Sequence, residues 1–308
     1  MSMSISTASL ESSLQNLIGS IEEINSRDTS VRTCIDDSLI STLKSLLELT
    51  LTAKFRRKAA FMIDLDGASV SRDSDIHDPV DPDKDFDRTI HSILDSGIPF
   101  CINTGRPAIF VKNIFPTTTA DHHRNSSHFI VSTEYGACIR GDKSFEVINS
   151  LPDREELSKI FLKAAQGHPG AVFEREKEHS IAISCANARD KQRAFDAIYE
   201  LAKHHADIEG NFHVIGVMKP DDAYVELVNP YIHKGVATDL MCARITSTHG
   251  PRQFFAFGDT NPDLPMWEEI KEHGGIAVGV GKTAPEGADF YIPNHMVTQL
   301  LLRQVSLG

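Results

Sequence analysis

"FMIDLDGAS", residues 61–69, decides the fold. Phe61, Met62 and Ile63 make an apolar run that ends on Asp64 and Asp66, with Gly67 directly behind them. A buried strand that stops on two neighbouring carboxylates faces both desolvation and like-charge repulsion. The rest of the chain must supply a counter-charge.

Working outward, five more short apolar runs read as buried strands: residues 98–103 (IPFCIN), 128–133 (HFIVST), 223–228 (AYVELV), 254–259 (FFAFGD) and 275–280 (GIAVGV). Helical stretches fall between several of them, as a mostly parallel sheet with crossover helices requires, so the expected class is α/β with a Rossmann-like core. Three of the runs end at a carboxylate or polar residue with a glycine close by. In open parallel sheets ligands bind beyond the carboxyl ends of the strands, so these ends are expected to converge on one site.

The pattern breaks between about residues 141 and 228. There the order is helix (153–167), strand (171–176), strand (180–185), helix (188–205) and strand (212–218), which reads as an α+β module on an antiparallel sheet. The expected division is an N-terminal helical extension over 1–57, a core formed by 58–141 and 229–308, and a cap over 142–228. Within the extension, Leu10, Leu14, Leu17, Ile18 and Ile21 share one helical face, and Leu39, Leu43, Leu46, Leu47 and Leu51 share another. This hairpin reads equally as a dimerisation or partner-docking element and as a helix pair packed on its own domain.

Bulk properties narrow the class. A net charge of −12 on 308 residues argues against non-specific nucleic-acid binding, which needs a basic face. No apolar run reaches the ~18 residues of a membrane span, and the serine-rich start lacks a signal-peptide profile. Five scattered cysteines without a C-x-x-C pair argue against a zinc site or a disulfide framework. A soluble cytoplasmic protein is the expectation.

Four stretches carry chemistry. They are Asp64-Leu65-Asp66-Gly67, Asn103-Thr104-Gly105-Arg106 followed by Pro107, Lys234 in "NPYIHKGVA", and "GDTNPD" with Asp259 and Asp263. Hard oxygen ligands at strand ends suit Mg²⁺, for which Asp64 and Asp259 are natural donors. Such a cation offsets carboxylate repulsion and lets one carboxylate attack a phosphorus atom. Asp66, two residues on, would point to the same side and could exchange the proton. The Thr104 hydroxyl, nearby backbone N–H groups and Lys234 would hold the transferring phosphoryl oxygens.

These four motifs, in this order from about Ala59 to the C-terminus, resemble the haloacid dehalogenase-like phosphohydrolase superfamily. The resemblance implies Asp64 as nucleophile, Asp66 as general acid/base, Thr104 as phosphate-binding hydroxyl and Lys234 as neutralising lysine. It implies a Mg²⁺ cofactor held by Asp64, the Asp66 carbonyl and Asp259, with Asp263 a ligand or its supporting partner. Gly67, Gly105 and Arg106 count among the substrate-binding positions, Arg106 reading alternatively as a structural ion pair. One departure is Ala68, where the family commonly has Thr or Ser.

A module inserted after the third strand is similar to the branch that hydrolyses sugar phosphates. Within it, "YVELVNPYIHKGVA", "GDTNPDLPMW" and "EYGACIR" look like trehalose-6-phosphate phosphatases. Lys177, with Glu174, Glu176 and Glu226, would then bind substrate, or be ordinary solvated charges on the cap. The His-Tyr-Arg common in that family is replaced here by Ser184-Cys185-Ala186. The expected substrate is therefore a phosphosugar, trehalose 6-phosphate first. Sucrose-type or glycosyl-glycerate phosphates, a phosphoprotein, or an effector module acting through the N-terminal helices are the alternatives. The Asp-rich stretch 71–87 reads as a flap, since it lacks the glycine and terminal glutamate of an EF-hand. The pairs His122-His123 and His204-His205 read as structural or surface histidines.

Overall fold

The computed structural model describes residues 5–27, 33–55, 57–71, 83–119, 126–210, 212–218, 223–282 and 284–307. Most of the Asp-rich stretch and the His122-His123 pair lie outside the described residues.

The chain opens with helices α1 (Thr7–Arg27) and α2 (Asp37–Phe55). A large sheet follows, built from β1 (Ala59–Ile63), β2 (Phe100–Asn103), β3 (Phe129–Thr133), β4 (Cys138–Arg140), β5 (Glu146–Ile148), β10 (Gln253–Gly258), β11 (Ile276–Val280) and β12 (Phe290–Ile292). Its spatial order is β12-β11-β10-β1-β2-β3-β4-β5. The pairs from β12 to β3 are parallel, and β4 and β5 continue the sheet antiparallel. Helices α3 (Asp83–Asp95), α4 (Ala108–Ile114), α7 (Lys234–His249), α8 (Leu264–Glu272) and α9 (His295–Leu307) connect or cover these strands. β1 is buried at all five positions, as an unbroken apolar run in the middle of a parallel sheet should be.

The second sheet has the order β6-β7-β9-β8, from β6 (Val172–Phe173), β7 (Ile181–Ser184), β8 (His213–Met218) and β9 (Ala223–Val228), all antiparallel. Helices α5 (Arg154–Gln166) and α6 (Lys191–Glu209) accompany it, and Phe161, Ile181, Ile198 and Val225 lie in its own apolar core. Residues 223–228, grouped with the apolar runs of the α/β pattern yet lying inside the expected cap, form β9 between β7 and β8 and so belong with the cap. Alternation explains the difference, because Ala223, Val225 and Leu227 pack toward this second core while Tyr224 and Glu226 face the other way. The inserted module was expected from residue 142, but β5 hydrogen-bonds to β4 and belongs to the large sheet.

The N-terminal hairpin packs within the chain. Leu10, Leu14, Leu17 and Ile21 of α1, with Leu39, Leu43, Leu46 and Leu47 of α2, join the same apolar cluster as Phe61 of β1 and Leu301 of α9. Lys54 Nζ adds a hydrogen bond to the Val305 carbonyl, 2.5 Å. Both leucine stripes therefore face the core. Among the described residues no helix is long and apolar enough to cross a membrane.

One histidine pair is expected to make stability depend on acid. His128 stacks on His249 with centroids 3.9 Å apart, and the His249 ring nitrogen bonds the Ser127 carbonyl. Burial, with His249 and Arg252 beside it, pushes the His128 imidazole down to about 4. Between that value and the ordinary pKa of about 6.5, the unfolded chain binds a proton that the folded chain refuses, so stability rises with pH there. Acidification through this window is expected to lower the urea midpoint, and His128→Phe should flatten the decline.

Candidate active site

The C-terminal ends of β1, β2 and β10 lie side by side with three of the motifs just past them, and the fourth brings Lys234 in at the start of α7. Asp64 follows β1, its N–H donating to the Phe257 carbonyl of β10 at 2.9 Å. Its carboxylate is buried, and the counter-charge comes from Lys234, whose Nζ lies 2.8 Å from Asp64 Oδ1 and 2.6 Å from Asp263 Oδ1. Lys234 is the first residue of α7, which starts after His233, whose Nδ1 accepts from the Gly235 N–H. An ammonium there opposes both burial and the helix dipole. Burial alone would lower its pKa, but Asp263 and Asp64 hold it above the ordinary range. From β2, Asn103 Nδ2 donates to the Lys234 carbonyl at 2.9 Å and fixes the helix start.

Asp263 is fully buried at the end of a single turn of 3-10 helix, Asn261–Asp263. Its Oδ2 accepts from the N–H groups of Asp259 (2.9 Å) and Thr260 (3.0 Å), which shapes the loop after β10. Gly258 is needed for this turn, because a Cβ there would come within 2.6 Å of the Asp263 side chain. Carboxylate oxygens of Asp64, Asp259 and Asp263 all lie within 4.8 Å of one another, each residue buried. Burial pushes the Asp64 carboxyl up against the pull of Lys234, and Asp263, Asp259 and Asp66 add to the push. Two of these acids share the Lys234 ammonium, and all three lie in one buried space. The donor set is all hard oxygen and short of positive charge, so these residues fit Mg²⁺.

Asp66 sits at the rim, half-buried, in a two-point ion pair with Arg106: Nε to Oδ2 and Nη2 to Oδ1, both 2.8 Å. The guanidinium also lies 4.6 Å over the Phe110 ring. Gly67 takes φ +80° and donates to the Val70 carbonyl, so it shapes the turn behind Asp66. Thr104 is fully buried, with its hydroxyl accepting from the Arg106 N–H at 3.1 Å, and it does not line the cavity. Gly105 does, pressed beneath Tyr135, whose ring would meet a Cβ at 2.6 Å.

From the second sheet, Lys177 and Glu226 are buried rather than solvated, with Nζ 2.7 Å from Glu226 Oε1. Lys177 Nζ also donates to the Gly105 carbonyl at 2.5 Å, so the inserted module touches the loop that carries Arg106. Glu174 lines the cavity, whereas Glu176 is exposed and does not. The cavity bounded by these parts has a volume of about 880 Å³.

Sequence reasoning missed the joint between the two sheets. Glu134 and Tyr135 follow β3 with φ of 51° and 60°, a left-handed pair that non-glycine residues rarely adopt. The Glu134 carboxylate accepts from the N–H groups of Glu178, His179 and Ser180 and from the Ser180 hydroxyl. Burial works against this charge, but Lys177 and those donors keep its pKa low. The Tyr135 hydroxyl meets the Tyr224 hydroxyl at 2.8 Å. Nothing in "EYG" marks this grip, because its partners lie more than forty residues away.

The sequence matches no family model and no curated protein. The fold is similar to solved structures. The C-terminal domain of C. albicans trehalose-6-phosphate phosphatase superposes with a TM-score of 0.63 at 17% identity, covering 84% of this chain and 96% of that one. Aspergillus fumigatus trehalose-6-phosphate phosphatase gives 0.51 at 19%, with 84% and 96% covered. The C-terminal domain of a Candida albicans trehalose synthase regulatory protein gives 0.53 at 13%, with 79% and 93% covered. The fold is the haloacid dehalogenase-like one.

Proposed function

We propose that this chain is a Mg²⁺-dependent phosphatase of a sugar phosphate monoester. The observation that supports the reading most is the buried group Asp64, Asp259 and Asp263 around Lys234, with Asp66 at its mouth. A shared fold does not decide function, and one neighbour of the same fold is named a regulatory protein, so the reading rests on these side chains.

Asp64, Asp259 and Asp263, with the Asp66 carbonyl, would hold the cation. Bound there, it supplies charge neutralisation for a phosphate dianion approaching carboxylates. The Asp64 carboxylate attacks phosphorus; the bond from phosphorus to the sugar oxygen breaks, and Asp66 gives that oxygen its proton. Water then attacks the aspartyl phosphate, Asp66 takes the water's proton, and phosphate leaves. Lys234 orients Asp64 and offsets charge on the phosphoryl oxygens. Arg106 engages both oxygens of the Asp66 carboxylate, so this pair opens and Asp66 takes up a proton from solvent before it can protonate the leaving oxygen.

Trehalose 6-phosphate is the substrate to test first, alongside sucrose 6-phosphate, glucose 6-phosphate, a glycosyl-glycerate phosphate and a phosphoserine peptide. Phosphate release is expected to require Mg²⁺ and to favour the phosphosugars. Mg²⁺ alone should raise the melting temperature of the wild type and leave Asp259→Asn much less affected. Release that is indifferent to chelator, or faster from the peptide, would exclude the reading.

A further inference from the structure

The second sheet turns one face to the cavity, and the register says which side chains lie on it. Ala182, Glu226 and Ile215 stand directly opposite one another across β7, β9 and β8, as do Ser184, Tyr224 and Val217 in the next row. Facing pairs in an antiparallel sheet point the same way. The face therefore has a polar centre, and edge strand β8 flanks it with the apolar Ile215 and Val217 and, opposite Val228, with His213.

The polar centre is already engaged inside the protein. Glu226 Oε1 accepts from both Lys177 Nζ and the Ser180 hydroxyl, each at 2.7 Å. Lys177 also serves the Gly105 carbonyl, and Tyr224 meets Tyr135. A leaving group with many hydroxyls would have to share these engaged groups or reach Glu174, His213, Thr260 and Asn261 elsewhere on the cavity wall, and a hydroxyl that finds no partner is costly. The opposite holds along the flank, where Ile215, Val217 and Val228 from the second sheet and Ile232, Pro262 and Pro265 from the core line the same cavity. Ala182 and Ser184, the β7 members of the two rows, add little bulk to the face.

We infer that the preferred substrate is a phosphosugar carrying an apolar substituent, such as an aryl or alkyl glycoside 6-phosphate, with the substituent lying against the β8 flank. This deepens the phosphatase reading and rests on it for the position of the phosphate. A disaccharide of hydroxyls alone would set the part of its second ring that lies on this flank against Ile215, Val217 and Pro262. An aryl ring would instead bury its apolar surface there, a gain of about tenfold or more in affinity.

Two measurements test this. The first is kcat/KM for phenyl glucoside 6-phosphate against glucose 6-phosphate and trehalose 6-phosphate, with preference for the phenyl compound by about tenfold or more expected. The near-isosteric Val217→Thr, and Ile215→Asn beside it, should each narrow that ratio severalfold. Turnover of trehalose 6-phosphate equal to or faster than the phenyl compound, or a ratio unmoved in both variants, overturns the inference while the phosphatase reading stands. The second is calorimetric affinity of Asp64→Asn protein for the same compounds, which needs no turnover. Tighter binding of the phenyl compound supports the flank even if every phosphate proves inert, and equal affinity overturns it.

Discussion

Asp64→Asn is expected to abolish phosphate release, by at least about a thousandfold in kcat, while leaving the fold intact or firmer. The asparagine keeps the shape of the side chain but has no carboxylate to attack phosphorus. At the same time it removes one of three acids from a buried group that holds a single ammonium, so repulsion from Asp263 and Asp259 falls. Loss of activity with an unchanged or raised melting temperature is the signature, because a merely structural role would lower both together. Phosphate release equal to the wild type would remove Asp64 from the chemistry.

Lys234→Met is expected to have the largest effect on stability. Its Nζ bridges Asp64 and Asp263, and all three side chains are nearly or wholly buried. Methionine fills similar space but strands two carboxylates, and breaking a buried pair in this way costs about 3–5 kcal/mol. The deficit should show in the urea midpoint at neutral pH. It should narrow as pH falls, since the stranded acids can then take up protons. Saturating Mg²⁺ should recover part of it by binding the folded state. A midpoint unchanged from the wild type, with and without Mg²⁺, would mean that the ammonium is not what holds these acids in place.

The sequence was most readable where chemistry demanded rare letters at strand ends. Asp64, Asp66, Asp259 and Asp263 stand together because parallel strands bring their C-terminal ends to one edge, as the order of apolar runs suggests, and Lys234 joins them from the start of α7. Readings weakened where the partner was distant and the local letters ordinary. Residues 223–228 are apolar enough for either sheet, and only register shows that Glu226 looks into the cavity. Lys177 and Glu226 read as solvated charges singly, yet they bury each other as a pair. Glu134 grips residues 178–180 through backbone N–H groups, which leave no trace in side-chain identity. Ala68, a departure from the family pattern, is fully buried in the main apolar cluster, where a hydroxyl would need a partner of its own.

The placement of β1 also sets how this chain must be made. β1 is central in the finished sheet, yet its neighbour on one side, β10, begins at Gln253, after the whole second sheet has been threaded through. During synthesis β1, β2 and β3 can assemble early, which leaves β1 as a bare apolar edge until the last fifth of the chain emerges. Such long-range parallel pairing is slow, and an exposed edge of this kind invites pairing with other chains. Refolding from denaturant should consequently be concentration-sensitive, with aggregation competing until β10 closes the gap. The strand that leads into Asp64 is thus sheltered on one side only late in synthesis.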